Sequence, residues 1–228
     1  MLIVSFDIAT EKMYLVLEKD NKPLSIRHAL STPRKYNSAM LIPAMVEEFR
    51  NNNINPSEID FIAINSGPGS FTGIRAGGVI ARTLGQFLDI PVVGVSSLEI
   101  YANACNSDKP KLVILDARRS KWYTGEYGPD NQEIHAPALK LNKDVFEYIQ
   151  DKDFQIITEK ALFEILESHS PLCFEDFEQD FGLILTSLAK EKLKTANNAK
   201  KEFAWYHFKP VYLQTPSISK PKRVNSGL

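Results

Sequence analysis

The 228 residues are enough for one large domain or two small ones, and 43% hydrophobic with 24% charged residues is an ordinary globular composition. A net charge of −1 excludes a strong overall field toward nucleic acid or a membrane surface and leaves only local patches. No apolar run is long enough to span a bilayer.

The first residues, Met1-Leu2-Ile3-Val4-Ser5-Phe6-Asp7, show neither a basic leader nor a cleavage site and read as a strand. The two cysteines, Cys105 and Cys173, stand far apart without a C-x-x-C pattern, which fits a reducing cytoplasm.

In chain order, an apolar strand over residues 2–6 ends at Asp7. Strands at 13–18 and 24–30 follow, separated by the turn residues Asp20-Asn21-Lys22-Pro23, so the chain opens with a three-stranded meander. A helix is predicted over 38–50, with Pro43 near its start. A buried strand at 59–64 runs into Gly67-Pro68-Gly69, and a helix over 72–88 follows. Glycine permits positive φ and close backbone approach, and Ser70 and Thr72 are candidate caps. The first amides of that helix favour an anion; a plain strand-to-helix turn explains the same residues equally well. A strand at 90–95 and a helix at 97–104 complete the first half.

The pattern then restarts. Residues 111–116, Lys111-Leu112-Val113-Ile114-Leu115-Asp116, repeat an apolar strand ending in aspartate. Strands at 122–127 and 134–141, a helix at 142–150, a strand at 154–158 and a helix at 160–167 follow. This internal duplication predicts two βββαβα halves, residues 1–106 and 107–228, facing each other across a cleft with Asp7 and Asp116 in matching places. A last helix at 182–201 carries Leu183, Ile184, Leu188 and Leu193 opposite lysines read as its solvated face. A strap at 209–213 and a loose basic tail at 215–228 end the chain.

Four stretches in this order carry a resemblance: Gly67-Pro68-Gly69-Ser70-Phe71-Thr72-Gly73-Ile74-Arg75, Gly94-Val95-Ser96-Ser97-Leu98, Asp116-Ala117-Arg118 and Pro210-Val211-Tyr212-Leu213. The chain resembles the TsaB (YeaZ) family of the duplicated actin–hexokinase–Hsp70 (ribonuclease H-like) superfold, related to the glycoprotease-like TsaD. The resemblance implies a scaffold subunit that pairs with TsaD and the ATPase TsaE. Together these transfer threonylcarbamoyl from its adenylate to the adenosine beside the anticodon of tRNA, and TsaD carries the metal and the chemistry. It also implies that tRNA is met only through the complex. Two departures stand out: Asp7-Ile8-Ala9-Thr10 where Asp-Thr-Ser is usual, and Asn37-Ser38 where a His-Ser pair is common.

The residues themselves argue against catalysis. Nucleotide-using members of the superfold need glycine just after each aspartate, whereas the turns here, Asp7-Ile8-Ala9-Thr10-Glu11-Lys12 and Asp116-Ala117-Arg118-Arg119-Ser120-Lys121, contain none. Ile8 and Arg118 would crowd a phosphate path. Asp7, Thr10, Asp116 and Arg118 are the cleft candidates; the aspartates hold a metal through water or simply close strand-end turns. TsaD holds its metal with a His-x-x-x-His pair, and the matching segment here, Ser96-Ser97-Leu98-Glu99-Ile100-Tyr101, has no histidine. His28, His135, His169 and His207 lack ligand spacing, so no metal or cofactor is expected. Arg118 and Arg119 read as surface ion pairs or as phosphate contacts in an assembled complex.

The helix over 38–50 is apolar around more than one face. Met40, Leu41, Met45 and Phe49 are taken as partner-facing, together with a strip of small residues, Gly78, Ala81 and Gly85, on the next helix. The same surface is expected to pair two copies when TsaD is absent. The alternatives are an enzyme of the same superfold, either a sugar-kinase-like ATPase or a glycoprotease-like metallopeptidase, and a direct tRNA-binding module using Lys220, Lys222 and Arg223.

Overall fold

The computed structural model describes residues 1–30, 37–150, 152–167, 172–173 and 180–214. Three strands, β1 (Leu2–Asp7), β2 (Lys12–Lys19) and β3 (Lys22–Leu30), form the opening antiparallel meander. Helix α1 (Asn37–Asn51) crosses to β4 (Phe61–Gly67), and α2 (Phe71–Leu88) crosses to β5 (Val92–Ser96), both strands parallel to β1. Helix α3 (Ser97–Asn103) follows, capped by Ser96. The second half repeats this with β6 (Lys111–Asp116), β7 (Lys121–Tyr127), β8 (Glu133–Leu141), α4 (Asn142–Ile149), β9 (Gln155–Thr158), α5 (Lys160–Leu166), β10 (Leu172–Cys173) and α6 (Phe181–Thr195).

The two sheets have one topology. The first is ordered β3-β2-β1-β4-β5 and the second, from its matching edge, β8-β7-β6-β9-β10. In both, the first strand pairs antiparallel with its hairpin neighbour and parallel with the crossover strand. Each half is thus βββαβαβα, the duplicated βββαβα unit followed by one more strand and helix; the sequence reading has these at 90–95 and 97–104 in the first half and has the helix but not the strand in the second. The missed strand, β10, is two residues long and too short to leave a period-2 signature.

Three apolar clusters set the layering. The outer face of the first sheet, including Val4, Phe6, Leu15 and Ile62, packs under α1 and α2. The outer face of the second sheet, including Leu112, Ile114 and Ile156, packs under α4 and α5. Between the sheets, Ile3, Val93 and Val95 on one side and Val113, Leu115 and Ile157 on the other share a core with Leu98 and Tyr101 of α3 and Phe181, Leu185 and Leu188 of α6. Helix α6 follows the second half in sequence but packs on β1, β2, β4 and β5 of the first sheet. Its buried Thr186 donates to Ser5 Oγ of β1 at 2.7 Å.

The final helix differs from its sequence reading in two ways. It stops at Thr195, where Ala196 turns extended, and a separate short helix, α7 (Ala199–Glu202), restarts behind the Asn198 cap. Nor is its lysine row only a solvated face: Lys190 pairs with the buried Glu18 at 2.7 Å and Lys192 with Glu99 at 3.0 Å. After α7 the chain returns across the first half. Val92 N donates to Phe203 O, and Val211 N donates to Ser66 O, each at 2.8 Å. The tail over 215–228, with Lys220, Lys222 and Arg223, and His169 lie outside the described residues.

Candidate functional site

Strand β4 carries its pairing three residues past the predicted end and finishes on Asn65, Ser66 and Gly67. Gly67 sits at φ 95°, a conformation only glycine adopts freely, and its bond to Pro68 is cis. Asn65 Oδ1 accepts from Gly67 N and from Ser97 Oγ, each at 2.8 Å, tying the loop to the start of α3. Ser70, not Thr72, caps α2: its Oγ accepts from Gly73 N at 3.3 Å.

The loop is seated on the turn that follows β1. Ser70 N donates to Ala9 O at 2.7 Å. A Cβ on Gly69 would lie 2.5 Å from Ala9 O, and one on Gly73 would lie 1.9 Å from Ile8 O. These glycines allow backbone to meet backbone, so Ile8 and Ala9 fill the space in front of the helix.

Asp7 is buried at 2% exposure beneath this contact. Its carboxylate accepts from Ala9 N at 2.6 Å and from the Thr10 hydroxyl at 2.8 Å, a strand-end turn locked from inside. Asn37 Nδ2 donates to the carbonyls of Thr10 and Glu11 at 3.0 Å and fastens the turn to α1. Burial pushes the Asp7 carboxyl above the usual carboxylate range, opposed by the hydrogen bonds from Ala9 and Thr10.

Asp116, its counterpart, is exposed. Its Oδ1 accepts from Arg118 N at 2.7 Å, and its own amide donates to Glu159 Oε1 at 2.7 Å. The turn beyond it holds Arg118, Arg119 and Ser120 at φ 62°, 55° and 57°, three consecutive non-glycine residues in left-handed backbone. Such a conformation costs roughly 1–2 kcal/mol per residue. It is pinned by Ala117 N to Lys121 O at 3.0 Å, Lys121 N to Arg118 O at 3.3 Å and Asn142 N to Ser120 O at 3.1 Å. Among the described residues the Arg118 side chain makes no ion pair.

The partner-facing residues fall differently from the wheel reading. Leu41, Met45 and Phe49 are 0%, 5% and 9% exposed, buried against their own sheet, and Met40 is half-buried beside them. The small-residue strip is also taken: a Cβ on Gly78 would lie 3.1 Å from the Phe208 ring, one on Gly85 would meet Val92 and Trp205, and Ala81 is fully buried. Within this chain the strip admits a strand and the C-terminal strap, leaving no track for a foreign helix. What these helices do expose is Ile42 and Val46 on α1 and Val79 and Phe87 on α2. On α2 Arg75 lies 3.8 Å from the Phe71 ring centre, the Phe71 and Tyr212 rings meet at a tilt with centres 5.4 Å apart, and Arg82 lies over Trp205.

Sequence reasoning passed over Asn65 and Phe208. A polar residue ending an apolar strand run signals the first. The aromatic cluster Phe203, Trp205, Tyr206 and Phe208 signals an anchored strap for the second. The described histidines stay apart: His28 pairs with Asp180, His135 lies 3.8 Å from Glu126, and His207 meets the Glu202 carbonyl. Among the described residues no three His, Cys, Asp or Glu side chains converge as a metal site.

Two halves of one topology, each opening on a strand that ends in aspartate, define a duplicated actin-like α/β protein whose first turn is closed by a glycine-rich helix start. The family model described as TsaD, tRNA N6-adenosine threonylcarbamoyltransferase, matches residues 33–173, and the chain belongs to this family, in its TsaB (YeaZ) branch. It is 28% identical over 227 residues to the tRNA threonylcarbamoyladenosine biosynthesis protein TsaB of Escherichia coli K12, covering 94% of this chain and 95% of that one. To the Bacillus subtilis 168 protein of the same description it is 29% identical over 161 residues, 69% of each chain. The solved structure of YeaZ from Pseudomonas aeruginosa superposes with a TM-score of 0.72 at 21% identity, covering 93% of this chain and 99% of that one.

Proposed function

We propose that this chain is a non-catalytic partner subunit in the formation of N6-threonylcarbamoyladenosine on tRNA. It pairs with a TsaD-type catalytic subunit and works with TsaE, in the cytoplasm where tRNA is modified. The names of its relatives support the pathway. The observation that supports the non-catalytic role is the close seating of the helix start at Gly73 on the Ile8 carbonyl, in a turn that carries no glycine after Asp7. Asp7 is consumed in closing its own turn and has no open face toward a substrate.

The pairing surface in this reading is the outer side of α1 and α2, centred on Ile42, Val46, Val79 and Phe87. Exposed apolar clusters mark contacts, and arginine beside aromatic rings is typical of interface anchors. Without TsaD the same patch pairs two copies. No described helix is long and apolar enough to cross a membrane.

The test is depletion of the protein in its host, followed by mass-spectrometric measurement of threonylcarbamoyladenosine in bulk tRNA. Loss of the modification, restored by the wild-type chain and by an Asp7→Asn chain, is expected. Failure of Asp7→Asn to restore it, with the protein folded, favours an enzyme.

A further inference from the structure

The outer face of α1 and α2 carries charge of one sign among its apolar residues. On α2, Arg75, Val79 and Arg82 follow one another at helical spacing and are all exposed; on α1, Ile42, Val46 and Arg50 do the same. The two helices pack against each other on the outer side of the first sheet. Among the described residues Arg50, Arg75 and Arg82 take part in no ion pair. The acids of the neighbouring elements are already engaged. Asp89, which caps α2, pairs with Lys200 at 3.2 Å, Glu47 and Glu48 of α1 hold Arg27 of β3, and Glu202 of α7 accepts from the Asn198 amide at 3.0 Å.

Two of these cations are held in place. The guanidinium carbon of Arg75 lies 3.8 Å from the Phe71 ring centre, and that of Arg82 lies 5.6 Å from the Trp205 ring centre. A guanidinium seated on a ring keeps its N–H groups for other partners, and part of its rotamer entropy is already lost before anything binds. An apolar surface laid over this face would strip water from the arginines and leave them unpaired, which is costly. The chain has little of its own to offer them. Residues 31–36 before α1 and 215–228 after the strap contain Arg34, Lys35, Lys220, Lys222 and Arg223 and no acidic side chain. The acidic stretch Glu175, Asp176 and Glu178 leads into α6, which packs on the opposite side of the first sheet.

We propose that this face is matched to an acidic partner surface: apolar side chains to cover Ile42, Val46, Val79 and Phe87, and carboxylates to meet Arg75 and Arg82. The proposal rests on the reading of α1 and α2 as the TsaD-pairing surface, and it specifies the chemistry that TsaD brings there. Carboxylates take a guanidinium in a two-bonded fork, so each arginine fixes register as well as adding attraction. A second copy of this chain fits less well, because it presents the same cations and only acids that are already paired. A polynucleotide also fits less well, because its backbone leaves the apolar residues between the arginines uncovered. The face therefore prefers the heterologous partner over itself.

The experiment uses the full chain with Arg75→Gln and Arg82→Gln combined, and Val79→Asp as a separate probe of the face. Urea midpoints first establish that both variants fold. Association with TsaD is then followed against salt, without RNA, and self-association of each chain is read by sedimentation. The proposal expects the double glutamine variant to bind TsaD at least about ten-fold more weakly, by slower association and with a shallower salt dependence. Its self-association should be unchanged or stronger. If Val79→Asp weakens binding while the double variant matches the wild type in affinity and salt dependence, the face is an interface and its acidic match is refuted. If Val79→Asp leaves binding intact, the reading of the face fails and the proposal falls with it. Self-association lost in step with TsaD binding overturns the proposal in favour of a second copy, and tRNA binding lost with TsaD association intact overturns it in favour of RNA. A chain ending at Gln214 should keep the same dependence on the two arginines; tighter TsaD binding that no longer depends on them makes the tail the occupant and also overturns it.

Discussion

A Cβ on Gly73 would lie 1.9 Å from the carbonyl oxygen of Ile8, so the start of α2 and the turn after β1 touch through backbone alone. The same turn receives a hydrogen bond from Ser70 and encloses Asp7, linking the glycine-rich motif to the first strand in one packed unit. Gly73→Ala must displace one partner by more than an ångström. It should destabilise the fold by about 2–3 kcal/mol, the upper end of overpacking costs. The urea midpoint measures this, and an unchanged midpoint shows that the contact is not needed for folding.

Asp7 gives a pH dependence of defined sign. Its carboxyl is raised in the fold by burial, so the folded state holds its proton more tightly than the unfolded chain does. This contribution to stability is fully present below the ordinary carboxylate value and is lost as pH rises through the raised one. Asp7→Asn lacks that titration. Urea midpoints from acid to neutral pH should show the wild type falling relative to the variant across this window. Parallel curves would mean that Asp7 titrates as an ordinary surface acid.

The strap depends on Phe208, 6% exposed, whose ring lies 3.1 Å from where a Cβ would stand on Gly78 of α2 and on Gly94 of β5. Phe208→Ala should cost about 3–5 kcal/mol, as for other large core truncations. It should also increase protease cutting near residue 208 before the rest of the chain unfolds. Cutting confined to the globally unfolded state would mean the strap is held by its backbone bonds alone.

Substitutions on the two long helices should separate folding from assembly. Met45→Asp should prevent folding, since Met45 is 5% exposed and a carboxylate there has no partner. Val79→Asp, at 65% exposure, should leave the isolated chain folded. It should weaken pairing with TsaD by at least about 100-fold, because an unpaired buried charge costs several kcal/mol and each 1.4 kcal/mol is a factor of ten. Circular dichroism and sedimentation of the mixture read the two effects separately. If Val79→Asp and Phe87→Asp both leave pairing intact, the interface lies elsewhere.

Much of this architecture is legible in the residues because apolar runs ending in aspartate recur where β1 and β6 stand, and the glycine-rich stretch announces a strand-to-helix turn. What was not legible follows from geometry that periodicity does not encode. A wheel over α1 shows that its apolar residues exceed one face. It cannot say that Met45 and Phe49 turn to the sheet while Ile42 and Val46 turn out, because that depends on how α1 is rotated above the meander. The glycines of α2 read equally as a helix-packing strip or as room for something else, and only the returning strap shows that Phe208 uses Gly78. Asp7 and Asp116 match in sequence and topology yet differ in burial. The difference comes from a loop after β4 that the second half lacks after β9.

The central claim, that the chain assists modification without doing chemistry, is tested most directly by reconstituting transfer from threonylcarbamoyl-adenylate to tRNA with TsaD and TsaE. Product should form only when the chain is present, be undiminished with Asp7→Asn, and be lost with Val79→Asp. A folded Asp7→Asn chain that still binds TsaD yet abolishes product would contradict the account, as would full activity with the chain left out.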